Sequence, residues 1–93
     1  MQKVAIVTGA SRGIGRACVK KLAIEGIKVI ANYNKSQKQA EELKEELEKQ
    51  GIEIDLYKAD VSKREEVKDM INYVLDKYKK IDILINNARN ITN

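Results

Sequence analysis

The feature that most constrains this chain is the octet Thr8-Gly9-Ala10-Ser11-Arg12-Gly13-Ile14-Gly15. It follows the apolar run Val4-Ala5-Ile6-Val7 and leads into a helical pattern that begins near Gly13. Strand, tight glycine turn and helix in that order place a phosphate on a helix N-terminus. There, N–H groups without intrahelical partners and the helix dipole both favour negative charge. Each glycine has its own task. Gly9 takes the sharp turn off the strand, because it has no Cβ to clash at positive φ. Gly13 lets the backbone approach a pyrophosphate, and Gly15 lets the helix pack closely on the strand. Glycines in such a turn are also simple turn-formers, so the rest of the chain has to bear on the reading.

The remaining pattern is a regular alternation. Residues 3–8 read as a first strand, and their nearly continuous apolar run suits burial on both faces. A first helix is expected over 13–25, with Ile14, Cys18 and Leu22 recurring every four residues, Ala17 and Ala23 beside them, and Gly26 as its stop. Residues 28–33 read as a second strand. Ser36 with Gln39 reads as a capping box opening a helix to about Gln50, whose thin apolar stripe is Ala40, Leu43 and Leu47. Residues 52–58 alternate strictly, as a half-exposed edge strand does. Ser62 and Glu65 read as a second capping box, before a helix over 63–79 with Val67, Ile71, Val74, Leu75 and Tyr78 on one face. Residues 81–85 complete a fourth, strongly apolar strand. The order βαβαβαβ implies parallel strands and right-handed crossovers. The expected fold is therefore α/β, a doubly wound sheet of four parallel strands with helices on both faces. Its ligand is expected at the carboxyl ends of the strands. Residues 1–93 read as one domain.

Charge and cysteine content narrow the partners. The net charge is +4, but Lys and Glu interleave along helical segments, as in Glu41-Glu42-Leu43-Lys44-Glu45-Glu46. That is a solvated helix face with i,i+4 pairs rather than a nucleic-acid platform, and no basic, aromatic-rich surface supports such a platform. The chain holds one cysteine, Cys18, and no histidine, so it can form no internal disulfide and shows no zinc spacing. A reducing, cytoplasmic setting suits it. The first strand is expected within a few residues of Met1, without an apolar leader, and no run is long enough to cross a membrane.

The octet resembles the cofactor-binding signature of the short-chain dehydrogenase/reductase family, Thr-Gly-x-x-x-Gly-Ile-Gly, at every fixed position. Asn86-Asn87-Ala88-Arg89, after the fourth strand, resembles the family's Asn-Asn-Ala-Gly. The resemblance implies a Rossmann-type sheet of order 3-2-1-4. It also implies that Thr8, Gly9, Ser11, Arg12, Gly13, Ile14 and Gly15 hold the cofactor diphosphate. Asp60 and Val61 would contact the adenine, and Asn86, Asn87 and Ala88 would steady the sheet and line the ribose. Arg89 departs from the family's Gly and brings a long charged chain toward the nicotinamide half.

At the end of strand two, an NAD-specific fold has Asp or Glu about 20 residues past the motif. Here that place carries Asn32-Tyr33-Asn34-Lys35-Ser36, with no carboxylate. Asn32 does not repel a 2′-phosphate, and Arg12, Lys35 and Ser36 can supply charge and hydrogen bonds to it. NADP is therefore the expected cofactor, ahead of NAD. Residues 4–16, with Asn32-Tyr33, are similar to bacterial 3-oxoacyl-acyl-carrier-protein reductases within the family.

Family members transfer a hydride between carbonyl and alcohol, using a Tyr with a Lys four residues later and a Ser that orients substrate. Tyr73 and Lys77 have that spacing but lie on the third helix, before strand four, where the family does not have them. The chain thus matches only the amino-terminal part of a family member. It is expected to bind cofactor without catalysing the reaction alone. Its fourth strand, left as an apolar edge, is expected to promote self-association. The alternative is a noncatalytic nucleotide-binding or self-assembling module.

Overall fold

A computed structural model describes residues 2–87. Seven elements alternate along them. They are β1 (Val4–Val7), α1 (Gly13–Ile24), β2 (Lys28–Tyr33), α2 (Gln37–Glu48), β3 (Asp55–Lys58), α3 (Arg64–Tyr78) and β4 (Ile83–Ile85). The four strands form one parallel sheet of order β3-β2-β1-β4. β1 is fully buried, as its continuous apolar run requires.

The sheet separates two apolar layers. On one face, Val7, Val29 and Ala31 pack with Val19 and Ala23 of α1 and with Leu43 and Leu47 of α2. On the other, Val4, Ile6 and Ile30 pack with Met70 and Val74 of α3. The crossover from β3 to β4 takes α3 to the opposite face from α1 and α2, and because every strand pair is parallel the carboxyl ends share one edge.

Several local expectations are corrected. The buried stripe of α1 is Gly15, Val19 and Ala23, one residue on from Ile14, Cys18 and Leu22. Ile14 is 75% exposed. The phase follows Gly15, where a Cβ would collide with the Gly9 backbone, and each residue turns the helix by about 100°. In α3 the buried residues are Val74, on the expected face, and Met70, which the expected stripe left out, while Leu75 is exposed. β3 is shorter than its alternation suggests. The Ile52 amide returns to the Leu47 carbonyl at 3.0 Å, so residue 52 closes α2 instead of entering the ladder.

Neither capping box forms. Ser36 makes no side-chain cap bond, and the N-cap of α3 is Lys63. The Ser62 hydroxyl donates to the Asp60 carboxylate at 2.6 Å, and Glu66 instead of Glu65 reaches back, accepting from the Asp60 amide at 2.8 Å. Ser62 lies one residue before the N-cap, and its hydroxyl is turned to the Asp60 carboxylate instead of to an amide of α3.

The carboxylate of Asp55, the first residue of β3, ties α3 to the sheet. One oxygen accepts from the hydroxyls of Tyr73 and Tyr78, each at 2.7 Å, and from Lys77 Nζ at 3.3 Å. Burial pushes this carboxyl up, but Tyr78, Tyr73 and Lys77 together hold it below the ordinary range. Burial and the hydrogen bond to Asp55 push Tyr78 up to about 12. The signs follow. A lowered Asp55 contributes stability above its ordinary value of 3.8, lost as acid protonates the folded form. A raised Tyr78 contributes stability below its ordinary value of 10.0, lost as pH climbs toward 12. Asp55→Asn is expected to cost about 1–2 kcal/mol at neutral pH. It should also flatten the loss of thermal midpoint below pH 3.8, a scan that calorimetry can read directly.

Candidate functional site

The carboxyl edge of the sheet gathers four chain segments, one from each strand. The turn after β1 dominates it. Gly9 and Gly13 have φ of 59° and 63°, in the left-handed region that favours glycine. Gly15 is constrained by space. A Cβ there would meet the Gly9 carbonyl oxygen head-on and lie 2.8 Å from Asn87 Nδ2. A Cβ at Gly13 would meet nothing within 4 Å, so that side of the turn is open. α1 opens with no acidic residue in its first turn and with Arg12, exposed, as its N-cap. The open turn, the amides of the first helical turn and the Arg12 guanidinium form an edge able to receive an anion.

Two side chains brace this turn from either side. Asn32, at the end of β2, is 2% exposed. Its Oδ1 accepts from the Gly9 amide at 3.3 Å, and its Nδ2 lies 3.1 Å from the Ala59 carbonyl, 3.3 Å from that of Tyr57 and 3.4 Å from that of Tyr33. The Asn32 carbonyl also accepts from the Ala10 amide at 2.8 Å. Asn32 therefore points inward and spends its polar atoms on main chain.

From the other side, the Thr8 hydroxyl accepts from the Asn87 amide at 2.9 Å and lies 3.2 Å from Asn86 Oδ1. Asn87 Nδ2 donates to the Gly9 carbonyl at 3.1 Å. The Asn-Asn pair thus anchors the end of β4 to the glycine turn. Ser11 is buried with Thr8. Ala88 and Arg89 lie outside the described residues.

After β3, Asp60 Oδ1 accepts from both the amide and the hydroxyl of Ser62. These bonds hold its carboxyl below the ordinary value, and the nearby Lys63 and Lys35 add to the effect. Val61 lines a cavity of about 330 Å³ with Thr8, Met70, Ile71, Leu84 and Asn86. Lys35 is exposed and Ser36 half-buried. Tyr73 and Lys77 are held by Asp55 at the other end of the sheet, away from this edge. Asp55 and burial push the Tyr73 hydroxyl above its ordinary value, the wrong direction for a base.

Arg16 is the polar residue of this region that reading the sequence misses. Its guanidinium reaches the Ser11 carbonyl, the Gln39 carbonyl and Glu46. Those partners on α2 are 23 and 30 residues away, beyond any local spacing rule.

The family model described as short chain dehydrogenase matches residues 3–91. The 3-oxoacyl-acyl-carrier-protein reductase FabG of Staphylococcus epidermidis is 47% identical over 88 residues, covering 95% of this chain and 36% of that protein. The short-chain dehydrogenase/reductase homolog YusS of Bacillus subtilis is 43% identical over 88 residues, covering 95% of this chain and 81% of YusS. Among solved structures, an actinorhodin polyketide ketoreductase with NADPH matches with a TM-score of 0.84 at 32% identity, over 94% of this chain and 33% of the other. The chain therefore spans little more than a third of the reductase's length but most of YusS. Among the described residues, no helix is long and apolar enough to cross a membrane.

Proposed function

The chain belongs to the short-chain dehydrogenase family, and from that premise we propose that it is the cofactor-binding part of an NADP-dependent carbonyl reductase similar to the 3-oxoacyl-acyl-carrier-protein reductases. The observation that carries the reading is the glycine turn, with two left-handed glycines and a third pressed on the first. In this reading the diphosphate lies over Gly13, Ile14 and Gly15, where the first-turn amides of α1 face it. Thr8 and Ser11 shape the turn, and Gly9 and Asn32 hold its backbone. Val61 offers an apolar wall for the adenine, and Asp60 keeps a second carboxylate oxygen for its amino group. Asn86, Asn87 and Ala88 line the ribose side. When bound, the cofactor supplies a hydride.

Arg12 and Lys35, with Ser36, give the 2′-phosphate its countercharge, since the described end of β2 carries no carboxylate. That the ketoreductase neighbour was solved with NADPH favours NADP in this reading. The chain alone binds cofactor and does not turn over substrate. The test is calorimetric titration with NADPH and NADH. NADPH should bind more tightly, and Arg12→Ala should weaken NADPH about tenfold while leaving NADH nearly unchanged, the loss of one charge-assisted hydrogen bond. Equal affinity for the two cofactors in the wild-type chain would contradict the reading.

A second reading rests on β4. It lies at the sheet edge, and Leu84 is 57% exposed beside the cavity. A noncatalytic module that pairs with a second copy along β4 would use that edge. Sedimentation of the titration samples separates the two. Such a module associates with concentration but need not saturate with a dinucleotide.

A further inference from the structure

Arg16 stands one turn into α1, and its guanidinium joins the glycine turn to two points on α2. Nη1 is 3.4 Å from the Ser11 carbonyl and 3.3 Å from the Gln39 carbonyl. Nη2 donates to Glu46 Oε1 at 3.1 Å, and the other Glu46 oxygen takes Lys20 Nζ at 2.6 Å. Lys20 and Arg16 together hold the Glu46 carboxyl below its ordinary value. The Ser11 carbonyl belongs to the peptide unit that leads into Arg12. Gln39 is three residues past Ser36, in the first turn of α2. One rigid fork therefore spans the gap between the glycine turn and the segment after β2.

We infer that Arg16 is a positioning residue for recognition of the 2′-phosphate. Its role is through its neighbours, because Nη1 faces the Ser11 and Gln39 carbonyls and Nη2 is paired with Glu46. It fixes the distance between Arg12 on one side and Lys35 with Ser36 on the other. The planar guanidinium suits this task, whereas a lysine ammonium on a flexible stem cannot hold the three acceptors in one plane. Glu46 keeps the fork from swinging out, and Lys20 keeps Glu46 in place. This inference rests on the reading of Arg12, Lys35 and Ser36 given above.

The experiment compares the wild-type chain with Arg16→Ala, Arg16→Lys and Glu46→Gln. Affinities for NADPH and NADH, thermal midpoints and ligand-free amide hydrogen exchange are measured for each. Arg16→Ala should weaken NADPH about tenfold and NADH less than about twofold, so that discrimination falls while the fold persists. Arg16→Lys should not restore discrimination. Glu46→Gln should lie between, because its amide oxygen still accepts from Nη2. Without ligand, Arg16→Ala should speed exchange at Arg12 and over residues 38–41. An equal loss for both cofactors marks a merely structural residue and overturns the inference. So does unchanged exchange, or a preference for NADPH that survives Arg16→Ala. A wild-type chain without that preference overturns the cofactor reading and this inference with it.

Discussion

Gly15→Ala is expected to abolish dinucleotide binding and to destabilise the chain by about 3 kcal/mol. In an ordinary helix interior the same change is favourable by about 1 kcal/mol, so the sign of the effect is diagnostic. The new methyl would land on the Gly9 carbonyl oxygen, 2.9 Å from the Gly9 carbonyl carbon and 2.8 Å from Asn87 Nδ2. The two Gly9 atoms are backbone, and Asn87 Nδ2 is held on the Gly9 carbonyl. Gly9 is already fixed by its left-handed φ and by Asn32, and Asn87 is fixed by Thr8. The helix must therefore move off the strand, which tilts the amides of residues 13–15 away from the edge. Denaturant unfolding measures the stability, and titration measures the binding. A variant as stable as the parent would show that α1 does not rest on the turn.

Asn32→Ala should be nearly as damaging, at about 2–3 kcal/mol. It strands the Gly9 amide and removes the donor facing the carbonyls of Ala59, Tyr57 and Tyr33, all around a site 2% exposed. Leaving a buried donor without a partner costs more than the bond itself contributed. Because Asn32 joins the turn after β1 to the ends of β2 and β3, cofactor affinity should fall along with stability. Urea midpoints and titration of the same variant read both. A loss of stability alone would separate the brace from the site.

What the sequence reveals here follows the range of the interactions. The three glycines are legible because each answers a local demand of a strand-turn-helix unit. The order of elements is legible because apolar runs and helical stripes switch period cleanly. The phase of α1 is not, because Ile14-Cys18-Leu22 and Gly15-Val19-Ala23 have the same spacing. The choice between them lies in the Gly9 backbone, which has no hydropathy. In the second capping box, Ser62 turns to Asp60, and Glu66 instead of Glu65 takes the Asp60 amide. Asn32 is legible as a position without a carboxylate, but not as a side chain turned inward onto three carbonyls. Arg16 is invisible, since its partners come together only when α2 packs beside α1.

Whether the glycine turn receives a dinucleotide is read residue by residue by amide NMR during titration with NADPH. Saturable shifts are predicted at Gly9, Gly13, Ile14 and Gly15, with Val61 following, while Asp55 and Lys77 at the far end stay still. Shifts that saturate elsewhere and spare the turn, or none at all from a folded chain, would contradict the account.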